Sequence, residues 1–489
     1  RNQGPFCVAP KTEKDPDCSG LSTHPKKVSG MYPANIQGDY PKFCTVLEKR
    51  KDADKLMFQF AVVRDAKSGA HKGDPATDAL EAVPYTVEYK SEMDAIAAKL
   101  KHAASVVVDP KEAALKAYLM AASASFVSGD WQPADEAWAK MTATNSKWYL
   151  RVAPDETYNE PCSTKAGFQV SFALINPDSL EWQKKLEPVK NDMEKALADL
   201  AGPPYQARSV TFHLPDFIDI VLNAGDARSP LGATIGESLP NWGPVANDGR
   251  GRTVAMVNFY GDKDSEAALK DVTSSLICKD TFEKMTFDTK LGVMSTVLHE
   301  AAHNLGPAHE YQVNGKKDEQ IFGGALASML EELKAQTSSL FFAHWLVDKK
   351  VVGQAEADGS ALYDVTWSFG HISEGMVDAD GKPKPYSQLA AIEMGSLVKS
   401  GALVWKPKDK ANNGTDVGCF TVDLVKWKPA IIDLEKQVLH IKGAGDKPAA
   451  EKMRDEFCEA PGAWADMRKT IADRWLRQPK ASFVYAINE

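Results

Sequence analysis

The stretch His299-Glu300-Ala301-Ala302-His303-Asn304-Leu305-Gly306-Pro307 decides how this 489-residue chain is interpreted. Two histidines four residues apart lie on one face of a helix, so both imidazoles can reach a single metal ion. Glu300 would stand beside that metal and take a proton from a metal-bound water, as in zinc hydrolases. Apolar residues recur at helical spacing over residues 291–305, and Gly306-Pro307 predicts the end of the helix. Two surface histidines on an amphipathic helix are the weaker interpretation.

A tetrahedral zinc site in a hydrolase needs a third protein ligand and one open position. His309 completes a metzincin-like string, His-Glu-x-x-His-x-x-Gly-x-x-His, whereas Glu331 and Glu332 lie in a second predicted helix, as in gluzincins. The nearest methionine, Met329, lies inside that helix and not in a methionine turn. A carboxylate pair on an apolar helix also needs a partner, because buried charge is costly. We therefore favour a glutamate ligand, and since neighbouring side chains point about 100° apart, we expect only one of the two to reach the metal.

The metal motif, together with Glu331-Glu332-Leu333-Lys334-Ala335, resembles the dipeptidyl peptidase III family, in particular the branch found as the peptidase-like half of some plant Nudix proteins. The resemblance spans roughly residues 82–460, and no Nudix box occurs in the sequence. Further segments resemble family motifs in the family's order: Ala82-Val83-Pro84-Tyr85, Glu156-Thr157-Tyr158-Asn159-Glu160-Pro161, Asn223-Ala224-Gly225-Asp226-Ala227-Arg228, Leu239-Pro240-Asn241 and Gly445-Asp446-Lys447.

The resemblance implies a metal site that can be named residue by residue. His299, His303 and Glu332 would bind one Zn²⁺ per chain, with Glu331 as a supporting neighbour. Glu300 would be the general base that activates water. These roles agree with what carboxylate-assisted zinc hydrolysis requires.

The resemblance also implies how a peptide would be held. Tyr158 would donate a hydrogen bond to the oxyanion that forms during peptide hydrolysis, and a phenol beside zinc is suited to that task. Glu156 and Asn241 would bind the N-terminal end of the peptide. A carboxylate close to the free amine of the substrate is typical of an exopeptidase.

The sequence departs from the family pattern at three positions. The family usually has an acid where this chain has Gln336, whose amide oxygen accepts the same hydrogen bond without the charge that raises ligand basicity. Ser238 stands where the family has its first cleft asparagine. A family histidine that helps to stabilise the transition state corresponds to Tyr386, and His371 is the nearby alternative for its role. These changes leave zinc binding intact and weaken the expectation of strict dipeptide release.

The pattern of predicted elements indicates a mainly α fold with a smaller mixed α+β part. The chain is too long for one ordinary domain, so two lobes are expected. The resemblance implies two lobes separated by a wide cleft, with zinc on the helical lobe. The predicted organisation, with approximate boundaries and lobes that can interleave, is an irregular segment 1–50, a mixed lobe 51–260 with substrate-binding strands, and a helical catalytic lobe 261–489 with a polar loop near 355–385.

The functional hypothesis is a zinc metallopeptidase that hydrolyses oligopeptides, releasing dipeptides from a free N-terminus. The alternative is a catalytically decayed, zinc-containing protein that binds peptides or small molecules, and the altered residues Gln336, Ser238 and Tyr386 motivate it. A net charge of −9, with no basic cluster, argues against nucleic-acid binding. No apolar run reaches membrane-spanning length.

The seven cysteines are spread along the chain without a C-x-x-C pair, which argues against a second zinc site. Cys7 and Cys18 lie in a start rich in proline and charge that would need a staple. This usage favours disulfides and an exported protein, periplasmic or extracellular. Cytoplasmic residence with free thiols is the alternative.

Overall fold

The structure is a computed structural model, and the residues that it describes are 6–7, 21–22, 30–33, 40–69, 73–157, 160, 162, 164–210, 214–225, 228–229, 232–233, 236–248, 250–258, 263–308, 311–377 and 383–477. Among these residues no helix combines the length and the apolar character needed to cross a membrane.

The strands lie mainly in the first half of the chain. In chain order they are β1 Phe6–Cys7, β2 Leu21–Ser22, β3 Ala61–Asp65, β4 Leu80–Pro84, β5 Trp148–Glu156, β6 Gly167–Ile175, β7 Asp216–Gly225, β8 Arg228–Ser229, β9 Gly232–Ala233, β10 Gly236–Leu239, β11 Arg252–Met256, β12 Leu403–Lys410 and β13 Val417–Val422.

The helices cover most of the second half. In chain order they are α1 Tyr40–Glu48, α2 Ala53–Leu56, α3 Tyr85–Glu88, α4 Lys90–Val106, α5 Ala113–Ser128, α6 Gln132–Ala139, α7 Pro177–Leu186, α8 Lys190–Ala201, α9 Gly243–Asn247, α10 Lys263–Ser274, α11 Lys279–Phe282, α12 Thr289–His303, α13 Asp318–Phe322, α14 Gly324–Asp348, α15 Gln354–Ser373, α16 Pro385–Ser400, α17 Leu424–Ala444, α18 Lys447–Arg454 and α19 Ala463–Trp475.

The main sheet has five strands in the order β10-β11-β7-β6-β5, all antiparallel except the pair β11-β7. Its two edges approach each other: Asn241, just after β10, donates from Nδ2 to the backbone oxygen of Asp155 in β5 at 3.0 Å. The Arg252 guanidinium of β11 also lies 5.4 Å from the ring centre of Tyr149 in β5. The sheet is therefore strongly curled, and its edges bring residues from distant parts of the sequence together.

Three large apolar cores hold the described elements. One packs the five-stranded sheet against the helices before it, and another lies among the C-terminal helices. The third joins α8, which precedes the predicted boundary near residue 260, to α12, α14 and α17, which follow it. The boundary itself stays a prediction, and the third core shows that segments from both sides of residue 260 pack together.

The predicted polar loop near residues 355–385 is wrong over most of its length, because residues Gln354–Ser373 form the largely buried helix α15. Glycines and acids are typical of turns, but the glycines and Asp364 of this helix lie at packed positions. A Cβ at Gly359 would lie 3.0 Å from a methyl carbon of Leu291, and one at Gly370 would lie 3.1 Å from the Trp475 ring. Asp364 of this helix is buried. The glycines therefore allow close helix contact and do not mark a loop.

Two disulfides link distant segments, Cys44–Cys162 in the sheet-containing part and Cys278–Cys419 in the helical part. Cys458 is a buried free thiol. The side chain of Cys7 and the whole of Cys18 lie outside the described residues, so the staple predicted there stays a prediction.

Removing the Cys278–Cys419 cross-link should destabilise the protein measurably. The two cysteines are 141 residues apart, so the unfolded chain gains much freedom when the link is lost. We expect Cys278→Ala/Cys419→Ala to lower the free energy of unfolding by about 2–4 kcal/mol, measured by denaturant titration. Cys458→Ala, which removes a buried thiol but no cross-link, is the control. Equal losses in both variants would contradict the prediction.

Candidate metal centre

Helix α12 presents both motif histidines from its last turns. Asp288 caps its start by accepting from the backbone N–H of Lys290 at 2.9 Å. Its end is set by Gly306, whose φ of +64° lies in the left-handed region that favours glycine. The helix packs in the third core, and His299 is buried whereas His303 is half-buried. The motif therefore lies where the sequence places it, at the end of a well-packed helix.

Three potential ligand atoms converge from α12 and α14. The Nε2 atoms of His299 and His303 are 3.2 Å apart, and the Glu332 Oε2 atom lies 3.1 Å from the first and 3.7 Å from the second. A tetrahedral zinc with bonds of 2.0–2.1 Å would separate its ligand atoms by about 3.3 Å. These residues also form a group of possible metal ligands among the described residues. The spacing fits a small tetrahedral cation.

The other ring nitrogen of each histidine faces an acceptor. His299 Nδ1 lies 2.9 Å from Gln336 Oε1, and His303 Nδ1 lies 2.8 Å from Glu331 Oε1. Oxygen acceptors there require both Nδ1 atoms to carry the proton, so both Nε2 lone pairs point to the same space. Two lone pairs and a carboxylate oxygen facing one another repel unless a cation lies between them. The donor set therefore fits zinc.

Glu331 points away from the metal ligands' meeting point into a buried ion cluster. Its carboxylate lies 2.9 Å from Lys334 Nζ and 3.0 Å from Lys442 Nζ, and Lys442 also pairs with Asp318. Burial alone would raise the pKa of Glu331, but the two lysines and His303 hold it well below its ordinary value. Glu331 is therefore a charged acceptor for His303, and adjacent Glu332 reaches the candidate metal position.

Tyr386 of α16 lies close to this centre. Its phenol lies close to Glu332, and burial, Glu332 and then Glu300 raise the pKa of this phenol. The His371 ring stacks against Tyr386 with centroids 5.4 Å apart and also contacts Trp367. The structure thus brings Tyr386 to the metal ligands, with His371 packed against its ring.

Glu156 and Asn241 meet where the edges of the curled sheet approach. Glu156 is buried, and burial together with the neighbouring Asp155 charge raises the pKa of Glu156 to about 7, although the nearby Asn241 amide and Arg151 lower it. Ser238 is separate from this pair: its hydroxyl lies on the exposed side of β10, 3.1 Å from the hydroxyl of Thr253. Tyr158 and His309 lie outside the described residues, so their predicted roles stay predictions.

Several residues that shape the site were not found from the sequence. Lys442 and Asp318 come from helices distant in sequence, and Asp364 and Glu393 lie behind Gln336. No local pattern connects these positions. The one usable signal was the placement of acids and lysines within otherwise apolar helices.

Comparison with known proteins supports a dipeptidyl peptidase III-like chain. No family model matches. Nudix hydrolase 3 of Arabidopsis thaliana is 25% identical over 425 residues, which cover 86% of this chain and 50% of that protein. This chain therefore spans about half the length of that curated relative.

Two solved structures of dipeptidyl peptidase III (DPP III) share the fold. The one from Caldithrix abyssi has a TM-score of 0.74 and 21% identity, covering 93% of this chain and 80% of that one. The one from Corallococcus sp. strain EGB has a TM-score of 0.63 and 20% identity, covering 93% and 78%. The chain has the DPP III fold, mainly helical with a mixed sheet, as the sequence predicted.

The choice between the glutamate and the third-histidine ligand can be tested by metal analysis. Glu332→Ala should lose the bound zinc, because it removes one of three converging ligands, whereas His309→Ala should keep it. Zinc per chain, measured by mass spectrometry after gel filtration, gives the answer. His344→Ala, on the same helix α14 but away from the centre, is the control. Zinc loss in the His309 variant with retention in Glu332→Ala would favour the metzincin arrangement.

Proposed function

We propose that this protein is a zinc-dependent peptidase that hydrolyses oligopeptides and releases dipeptides from a free N-terminus. The observation that carries the proposal is the convergence of His299, His303 and Glu332, with Glu300 between the two histidines on the same helix. The DPP III fold supports it. Zinc, when bound, would supply the positive charge that polarises the scissile carbonyl and acidifies the attacking water.

Glu300 is the general base of the proposed reaction. Its carboxylate acts on the pKa of both His299 and Tyr386, so it lies near the metal ligands and near Tyr386. It takes the proton of the attacking water and later gives it to the leaving amine. A protein that only binds peptides has no need of a base at this position.

Tyr386 takes the place of the histidine that the resemblance leads one to expect. Its phenol lies close to Glu332, and the stacked His371 ring restricts its orientation. A donor held beside the ligands can turn to the oxyanion as negative charge develops on the carbonyl oxygen. Tyr158, on the substrate side, is proposed as the second donor from the resemblance.

Glu156 and Asn241 are proposed to hold the substrate's N-terminal ammonium. A buried carboxylate with a raised pKa gains most from a cationic partner, because the partner compensates the cost of burying its charge. Asn241 is held close to it by its own hydrogen bond to the Asp155 backbone oxygen. Ser238 is assigned no anchoring contact, because its hydroxyl is engaged with Thr253.

The second candidate function is a zinc-containing binding protein with decayed activity. Ser238 favours it, because a shorter side chain holds the substrate less firmly. Gln336 does not, because its amide oxygen accepts from His299 as an acid would. The two disulfides support the proposal of an exported protein, periplasmic or extracellular.

Replacing the base should separate binding from catalysis. Glu300→Gln keeps the shape of the side chain but cannot take a proton, so turnover should fall roughly 10²- to 10⁴-fold. Zinc content and the unfolding midpoint should stay those of the wild type. Hydrolysis is measured with dipeptidyl-naphthylamides and with unlabelled oligopeptides by mass spectrometry. Undiminished cleavage by this variant would exclude the mechanism, and zinc-loaded wild type without cleavage would favour the binding protein.

Blocking the substrate amine should reveal the Glu156 contact. An N-acetylated peptide should have a kcat/KM roughly 30- to several-thousand-fold below that of its free-amine twin, because loss of one partner of a buried charge pair costs about 2–5 kcal/mol. Glu156 is charged above its pKa of about 7, so this ratio should shrink as the pH falls from 7 to 5, a range in which the substrate amine stays protonated. Taking the ratio cancels titrations that both peptides share. In Glu156→Gln the ratio should be small and independent of pH; a wild-type ratio near one would indicate an endopeptidase.

A further inference from the structure

A chain of buried polar groups runs from the candidate metal centre into the helical core. His299 Nδ1 lies 2.9 Å from Gln336 Oε1, and Gln336 Nε2 donates to Asp364 Oδ1 at 2.5 Å. Asp364 in turn pairs with Glu393. The four residues belong to α12, α14, α15 and α16, and Gln336, Asp364 and Glu393 are 2%, 1% and 0% exposed. Four helices are thus connected by one line of contacts that ends on a metal ligand.

The far end of this chain is a pair of acids that share a proton. Within the described part of the protein, no donor group bonds to Asp364 Oδ2 or to either oxygen of Glu393. Two buried carboxyl groups facing each other can be satisfied only when one of them is protonated. Burial, and then the neighbouring acid, raise the pKa of Glu393 well above its ordinary value, while burial raises that of Asp364 to about 6. Because Asp364 accepts from the Gln336 amide whereas Glu393 has no donor among the described residues, the shared proton lies on Glu393 and Asp364 is the carboxylate.

The Asp364 carboxylate dictates which way the Gln336 amide points. With the NH₂ group toward Asp364, the amide oxygen faces His299 Nδ1 and accepts its proton. The flipped amide would place its oxygen against a carboxylate oxygen and its NH₂ against the imidazole N–H. It would favour the tautomer of His299 that carries its proton on Nε2, the atom that faces His303 and Glu332.

We propose that Asp364, supported by Glu393, is a positioning residue that prepares His299 to bind metal: its carboxylate orients the Gln336 amide, and the amide holds the imidazole with its Nε2 lone pair toward His303 and Glu332. In the family pattern an acid contacts the histidine directly, whereas here the supporting anion, Asp364, acts on His299 through the Gln336 amide. The inference rests on the proposed zinc site and extends it beyond the three ligands.

The test measures zinc affinity by competition with a chelator. Asp364→Leu removes the acceptor and should weaken zinc binding about 10- to 100-fold, as loss of an outer hydrogen-bond partner does in other zinc sites. Gln336→Glu/Asp364→Asn exchanges acid and amide and preserves the chain. The amide introduced at position 364 would donate to the carboxylate introduced at position 336, and that carboxylate would accept from His299. This double variant should bind zinc within a few-fold of the wild type.

The control is Glu435→Gln, which alters another buried acid next to α14. Glu435 accepts from the hydroxyls of Thr337 and Ser338, and none of its hydrogen bonds within the described residues involves Gln336, Asp364 or Glu393. It should leave zinc affinity unchanged, and thermal unfolding of the metal-free proteins reports stability separately. If Asp364→Leu does not fold, Asp364→Asn replaces it, since it keeps the shape and removes the anion; about tenfold weaker binding is then expected.

The outcomes separate the inference from the proposed function. Weak binding in the Asp364 variant with recovery in the exchanged pair supports the positioning role. Wild-type affinity in the Asp364 variant, no recovery in the exchanged pair, or an equal loss in Glu435→Gln each overturn it. A wild-type protein that binds no zinc would overturn the proposed function and the inference with it.

Discussion

The site depends on the protonation of two imidazole nitrogens that do not face the ligand position. Gln336 and Glu331 hold the Nδ1 protons of His299 and His303, and this leaves both Nε2 lone pairs directed at one point. Without those acceptors the two rings would be free to rotate or change tautomer. Their Nε2 atoms would then carry protons and hydrogen-bond with Glu332, and no longer offer lone pairs to a metal. The long helix α14 supplies both acceptors and Glu332, so its register against α12 fixes the whole arrangement.

Glu331, the acceptor for His303, is held in place by a cluster of buried charged side chains. Glu331 and Asp318 face Lys334 and Lys442, so two acids and two lysines balance inside the helical part. Lys334 also donates to the backbone oxygens of Ala302, in the last turn of α12, and Leu305, just after its end. Burying this cluster costs solvation free energy, and removing one member would leave an unpaired charge. The cluster fixes the position of the last turn of α12, where the metal motif lies.

The sequence predicted those features that depend on local spacing and failed where partners are remote. The metal helix and its end followed from residues 291–307, and the choice between Glu331 and Glu332 needed the family resemblance, because adjacent positions look alike in a pattern. Helix α15 was misjudged because its glycines resemble turn signals, although they allow contact with Leu291 and Trp475. The roles of Lys442 and Asp364 could not be predicted, because the periodicity of a sequence does not indicate which helices pack against each other.

The acceptors that face the Nδ1 atoms of the two histidines differ in charge. His303 meets a carboxylate directly, but the lysines around Glu331 compensate its charge. His299 meets a neutral amide, and the nearest supporting anion, Asp364, lies beyond it. In both cases the acceptor is weaker than a bare carboxylate in contact with Nδ1–H would be. Strong anions at that position draw the proton away and make the imidazole donate more charge to its metal. Moderated acceptors keep both ligands neutral, so the substitution of Gln336 for an acid is compatible with a metal that still polarises its substrate.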